Sequence, residues 1–213
     1  MSRSTALAAL TARRSYYSLL RESPIPDSRI QSILSEVMHK TPSAFNSQST
    51  RTVLLLKSEH DRLWSLTKDV LLERIGPERF QNSVAKLDSF KAAYGTVLFY
   101  EDQPTIAALK DKFALYKEHF EPWSEHTSGM HQLMTWVALE EEGFGANLQH
   151  YNPIIDDRVA GAFGIPTSWK LRAQLVFGLP DGARPAEKEK KPLQELMIVR
   201  GGGGVIHQHP VRL

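Results

Sequence analysis

Apolar residues at Ile30, Ile33, Leu34, Val37 and Met38 follow the i, i+3, i+4, i+7, i+8 spacing of one buried helical stripe. Asp27 or Ser28 can cap that helix, Pro24-Ile25-Pro26 separates it from what precedes, and it must stop before Pro42. Residues 52–57 (TVLLLK) and 95–100 (GTVLFY) are short, nearly unbroken apolar runs, which predict buried strands. Residues 169–179 (WKLRAQLVFGL) alternate well enough for one long strand, and residues 195–199 offer a last short one. Residues 60–75 and 77–94 predict two scaffold helices meeting at Gly76, with Pro77 well placed at a first helical position. Shorter helices are expected over residues 6–10, from Gln103-Pro104 until Glu121-Pro122-Trp123 breaks the helix, and over residues 154–163 up to Gly164 and Pro166.

Residues 130–153 (MHQLMTWVALEEEGFGANLQHYNP) change character midway. Met130, Leu133, Met134, Trp136, Val137 and Leu139 are apolar on nearly all sides of a 3.6-residue wheel, so this helix, starting at about Ser124, is expected to be buried in the centre of the domain. Gly143 and Gly145 can end it in a left-handed conformation, and the polar group Asn147, Gln149, His150 and Tyr151 follows. Helices dominate and do not alternate regularly with strands, which predicts α+β rather than a doubly wound parallel sheet.

Composition narrows the function classes without naming one. The 213 residues suit one large domain, and 41% hydrophobic with 23% charged content is ordinary for a globular protein. A formal charge of +2 gives no nucleic-acid signal, and the absence of cysteine removes disulfides, thiolate nucleophiles, iron-sulfur clusters and cysteine zinc sites together. The run Ala6-Leu7-Ala8-Ala9-Leu10 is too short for a signal peptide or span, and no other window reaches membrane-spanning length. A glycine quartet opens the tail 201–213, which is expected to be flexible, but too few residues follow it for a phosphate-binding helix. Gly143-Phe144-Gly145 follows a helix where a dinucleotide fingerprint needs a strand. His119, His126 and His131 lack an identifiable fourth metal ligand.

Three segments rich in donors remain: Arg13-Arg14-Ser15 with Tyr16-Tyr17 after it, residues 42–48, and residues 147–151. Lys188-Glu189-Lys190-Lys191 adds a fourth. Each alone reads as solvated surface or turn. In this order they resemble the FMN-dependent nitroreductase family, in its subgroup of small fungal and bacterial members related to the yeast fatty-acid-repression protein. The matching motifs are Arg13-Arg14-Ser15, Pro42-Ser43-Ala44-Phe45-Asn46-Ser47-Gln48, YGTVLFYED at 94–102, ALE at 138–140 running into GANLQHYNP at 145–153, and Lys191-Pro192-Leu193. They span nearly the whole chain, from Ala12 to about Arg200.

The resemblance implies a mostly antiparallel central sheet flanked by helices, a single FMN-binding domain over residues 1–200, and a homodimer that exchanges a C-terminal strand. The FMN phosphate would lie against Arg13, Ser15, Lys188 and Lys190, chemically apt for a dianion. Arg14 and Gln48 suit the pyrimidine edge of the flavin, and Gln149, His150 and Tyr151, with Asn147 in the same motif, would lie near N5. Pro42, Ser43 and Asn46 belong to the loop that would reach the flavin from the other subunit. Many members carry lysine or arginine where this chain has Tyr17, so one positive charge near the ring is replaced. His150 can serve the site or a structural hydrogen bond, and Phe120 and Trp123 can cover the flavin or pack the core. The implied activity is electron transfer from NAD(P)H through flavin N5 to nitroaromatic or quinone acceptors by a ping-pong scheme, with no protein acid or base, no metal, and neither nucleic acid nor membrane as partner. The alternative is a lipid-responsive, flavin-binding redox sensor. A cytoplasmic location, nuclear as well in a eukaryote, goes with either.

Overall fold

A computed structural model describes residues 5–201. Five strands form one sheet: β1 (Leu19–Leu20), β2 (Thr50–Leu56), β3 (Gly95–Asp102), β4 (Gly145–Gln149) and β5 (Trp169–Pro180). The order is β1-β5-β3-β2, with β4 also pairing with β5, and every pairing between these strands is antiparallel. All eight residues of β3 are buried, as expected of a strand covered on both faces. Its alternate residues feed two cores: Leu98 and Tyr100 pack with Leu63, Trp64 and Phe90 on one side, while Val97 and Phe99 pack with Ile30, Leu34 and Leu139 on the other.

The helices are α1 (Thr5–Ala12), α2 (Asp27–Lys40), α3 (Lys57–Lys91), α4 (Gln103–Lys112), α5 (Phe120–Glu141), α6 (Asp156–Phe163) and the single turn α7 (Leu193–Leu196). α2 buries Ile30, Ile33, Leu34 and Val37, the stripe its sequence spells out. α3 kinks at Gly76, whose φ of 76° no ordinary helical residue adopts, and Pro77 begins the second limb. Among the described residues, no helix is long and apolar enough to cross a membrane.

Four expectations change. α4 ends at Lys112, and Glu121-Pro122-Trp123 lies in the opening turn of α5 instead of breaking a helix, because proline's missing N–H costs nothing there. Residues 145–149 form β4, a strand that alternates buried polar with apolar side chains. Residues 195–199 form no strand: Glu195 and Leu196 lie in α7, and Met197, Ile198 and Val199 are exposed. The flexible tail expected over 201–213 lies outside the described residues apart from Gly201.

The fourth change concerns α5, which is not an apolar helix sunk in a core. Its buried residues include Ser124, Thr127, Ser128, His131 and Thr135, whereas Met130, Leu133 and Met134 are 38%, 41% and 49% exposed. The inward hydroxyls mostly satisfy themselves on their own helix, Ser124 Oγ donating to the Glu121 carbonyl at 2.8 Å and Thr127 Oγ1 to that of Trp123 at 3.0 Å.

Candidate functional site

The turn after α1 is held from three directions. Its backbone joins β4 where the Tyr16 N–H donates to the Ala146 carbonyl at 2.9 Å. Asn147 Nδ2 donates to the Tyr16 carbonyl at 2.7 Å, and Gln149 Nε2 braces Asn147 Oδ1 at 2.8 Å. From α5, Glu140 Oε2 accepts the Arg14 backbone N–H at 3.0 Å. Tyr16 packs so closely on β4 that a Cβ on Gly145 would lie 2.7 Å from Tyr16 Cγ. Gly145 is thus required by close approach, while Gly143, at φ 91°, supplies the left-handed turn after α5.

Beside this turn lies a cleft of about 700 Å³ whose lining includes Arg13, Arg14, Ser15, Leu133, Trp136, Glu187, Lys188 and Lys190. Two segments far apart in sequence meet here, because Arg184 Nη2 donates to the Thr11 and Ala12 carbonyls at 3.2 and 2.9 Å at the C-terminal end of α1. The Arg13 guanidinium sits 4.5 Å from the Trp136 ring centroid, a cation-π contact. Arg14 has only 13% of its side chain exposed; its Nη1 donates to the Thr11 and Arg13 carbonyls, and its Nη2 lies 3.4 Å from Glu187 Oε2. Four cations and the hydroxyls of Thr11 and Ser15 face one lining carboxylate, a donor set suited to a small, multiply charged anion.

The other expected residues lie elsewhere. Pro42 lines a second cleft, of about 450 Å³, between α2 and the outward side of α5 near Met134 and Ala138. Ser43 and Gln48 are tied together, Ser43 Oγ accepting the Gln48 backbone N–H at 3.0 Å. Phe45, Asn46 and Gln48 have φ of 55°, 52° and 49°, a strained run for non-glycine residues. The exposed Phe45 ring contacts Phe113, Tyr116, Phe120 and Trp123, and stacks on Trp123 at 5.5 Å. This loop does not line the basic cleft. Asn147 and Gln149 are buried as braces, and His150 is exposed. The Tyr151 ring turns into the core against Trp64 and Phe90, so only its backbone remains near β4, its N–H donating to Gln174 Oε1 at 2.7 Å. Tyr17 is exposed and does not line the cleft.

Sequence reasoning overlooked Glu140, Trp136, Arg184 and Glu187. Trp136 and Glu140 stand four apart, the spacing that lets Trp136 Nε1 donate to Glu140 Oε1 at 2.7 Å, but the sequence does not show that the carboxylate turns inward to the Arg14 N–H. Burial pushes the Glu140 carboxyl above its ordinary range, against the opposing pull of its hydrogen bonds and of Arg13 and Arg184.

Fold and cleft together define an α+β protein with a basic cleft beside a helix that leaves apolar residues uncovered. Residues 10–179 match the Nitroreductase family, and the chain belongs to that family of oxidoreductases. HBN1 of Saccharomyces cerevisiae is 39% identical over 186 residues, 86% of this chain and 92% of its own. The nitroreductase CinD of Lactococcus lactis, solved in complex with chloramphenicol, is 40% identical with a TM-score of 0.84, over 92% of this chain and 100% of that one. A structure from Desulfovibrio desulfuricans in complex with FMN shares the fold at 16% identity, with a TM-score of 0.69 over 95% of this chain and 100% of its own.

Proposed function

We propose that this chain is a homodimeric, FMN-dependent oxidoreductase that takes electrons from NAD(P)H and passes them to nitroaromatic or quinone acceptors, one after the other in the same open pocket. The observation that carries the reading is the basic cleft between the turn after α1 and residues 185–190. Its volume suits a cofactor-sized ligand, and its donors suit a phosphate dianion. Bound FMN would supply the two-electron chemistry.

The chain's own residues would bind and orient. Arg13, Ser15, Lys188 and Lys190 would hold the phosphate, with Arg14 beside them, and the end of β4 with the two residues after it would present the backbone of Gln149, His150 and Tyr151. The loop from Pro42 to Gln48, tied internally through Ser43, would approach as one unit from the second subunit. The uncovered Met130, Leu133 and Met134 support such a subunit, because apolar surface in a row on a helix demands a cover. Met197, Ile198 and Val199, exposed and without strand pairing, support an exchanged C-terminal segment. The complexes of CinD with chloramphenicol and 4-nitrophenol support a nitroaromatic acceptor.

The test is the visible absorption spectrum of the purified protein, followed by FMN uptake and NAD(P)H oxidation with 4-nitrophenol as acceptor. Flavin absorbance with acceptor-dependent turnover is expected. A colourless protein that takes up no FMN overturns the proposal, and FMN binding without turnover favours the redox sensor.

A further inference from the structure

Both carboxylate oxygens of Glu140, near the C-terminal end of α5, are committed. Oε2 accepts the backbone N–H of Arg14, 126 residues away in sequence, and Oε1 accepts the indole N–H of Trp136. That indole carries the Arg13 guanidinium on its face. One half-buried side chain therefore fixes both arginines of the cleft, Arg14 through its main chain and Arg13 through the ring beneath it. We infer that Glu140 is the positioning residue of the phosphate cleft, holding Arg13 and Arg14 in their binding arrangement before the anion arrives. The inference rests on the flavin reading above. Its physical basis is preorganisation: arginines already ordered need not be ordered at the expense of binding.

The opposite sign is equally concrete, which makes the idea testable. Glu140 is an anion close to an anion site, and if charge were its only influence, removing it would tighten binding. Glutamine separates the two. It offers one oxygen to two N–H donors and turns its own NH2 on the other, so one of the two holds must break. The charged groups around Glu140 are Arg13 and Arg14 on the turn, Arg184, Glu187, Lys188 and Lys190 on the C-terminal segment, and Glu141 and Glu142 next to it, Glu142 being paired with Arg29 of α2; α1 carries none.

The experiment is FMN titration of wild type and Glu140→Gln, followed by flavin fluorescence, across a pH series. At about pH 8 the variant is expected to bind about tenfold more weakly, the effect of one lost charge-assisted hydrogen bond. Because the Glu140 carboxyl is held above its usual range, it takes up a proton earlier than an ordinary carboxylate as the pH falls, and protonated glutamate then resembles glutamine. The ratio of the two dissociation constants should therefore shrink toward one as the pH is lowered. The phosphate's own titration is common to both proteins and divides out. Equal or tighter binding by the variant overturns the inference, and so does a weaker but pH-independent ratio, which assigns Glu140 to the fold alone. Wild type that takes up no FMN overturns the flavin reading and this inference together. If Glu140→Gln does not fold, Trp136→Phe keeps a ring but frees Oε1; binding about threefold weaker is expected, and unchanged binding overturns the inference.

Discussion

α3 and α5 are the two longest helices among the described residues, and they bury faces of different character. α3 turns Leu63, Trp64, Val70, Phe80, Leu87 and Phe90 inward, while Glu59, Arg62, Asp69 and Glu73 stay exposed. α5 turns serines, threonines and a histidine inward and leaves methionines and a leucine in solvent. α3 covers most of its apolar residues within its own chain, whereas α5 leaves Met130, Leu133 and Met134 uncovered. An amphipathic helix whose apolar side faces away from its own sheet is arranged for something outside the chain, and the basic cleft borders that side through Leu133 and Trp136.

The contrast can be broken most forcefully from the α3 side. Trp64 is fully buried, stacks at an angle on Phe90 4.9 Å away, and donates its indole N–H to Thr96 Oγ1 at 3.0 Å. Trp64→Ala should cost about 3–5 kcal/mol in denaturant unfolding. If α3 serves one chain only, subunit affinity measured under native conditions should not move beyond that loss. On α5 the pattern reverses. The double variant Met130→Glu and Met134→Glu touches exposed side chains, so the unfolding of one chain should change little. Subunit affinity, by sedimentation, should fall about a hundredfold because charges would be buried in an interface. A double variant that self-associates like wild type would show that the outward face is not where the second subunit sits.

The same contrast explains what the sequence can and cannot convey. The stripe of α2, the apolar runs of β2 and β3 and the kink at Gly76 are local properties, set by spacing and by φ, and they are legible. Met130, Leu133 and Met134 are equally visible as apolar, but periodicity says only that a face must be covered, not whether its cover is the same chain. β4 is obscured for a related reason. Asn147 and Gln149 look solvent-facing, yet they are buried because Tyr16, 131 residues away from Asn147, provides the acceptor. The candidate site is legible as separate donor-rich segments, and the family resemblance groups them. The meeting of Arg13 with Lys188, the bracing by Glu140 and the inward turn of Tyr151 are long-range facts that no local pattern records.

A third probe uses the buried polar members of α3. His60 is fully buried, with Nδ1 2.9 Å from Thr96 Oγ1 and Nε2 3.3 Å from the Lys91 carbonyl, and burial pushes its pKa down to about 4. A histidine whose folded pKa is depressed favours unfolding once the pH falls below its unfolded value of about 6.5, because the unfolded chain takes up the proton first. His60 should therefore withdraw about 2 kcal/mol of stability between neutrality and pH 5. Asp156 acts in the opposite direction: burial and Asp157 push its carboxyl up to about 6, so it adds stability as the pH falls through that value. The His60 contribution is consequently read as the difference between wild type and His60→Gln, in which Asp156 and the depressed His131 cancel. Parallel stability profiles for the two proteins would sink this assignment.

The smallest expected effect is the sharpest test of the inward face of α5. Thr135 Oγ1 is buried and finds no hydrogen-bond partner among the described residues, whereas Thr127 Oγ1 bonds the carbonyl one turn before it. Valine has the shape of threonine and the same branching at Cβ, so Thr135→Val exchanges an unsatisfied hydroxyl for a methyl without altering helix preference. It should stabilise the protein by up to about 1 kcal/mol, and Thr127→Val should cost a similar amount. That pair of signs would mean that the polar inward face is tolerated where the helix's own carbonyls satisfy it and is a burden elsewhere. The specificity of α5 would then reside in its outward side. If Thr135→Val instead weakens the fold, its hydroxyl has a partner such as a bound water, and α5 is held from within by a polar network as well as from without by its apolar cover.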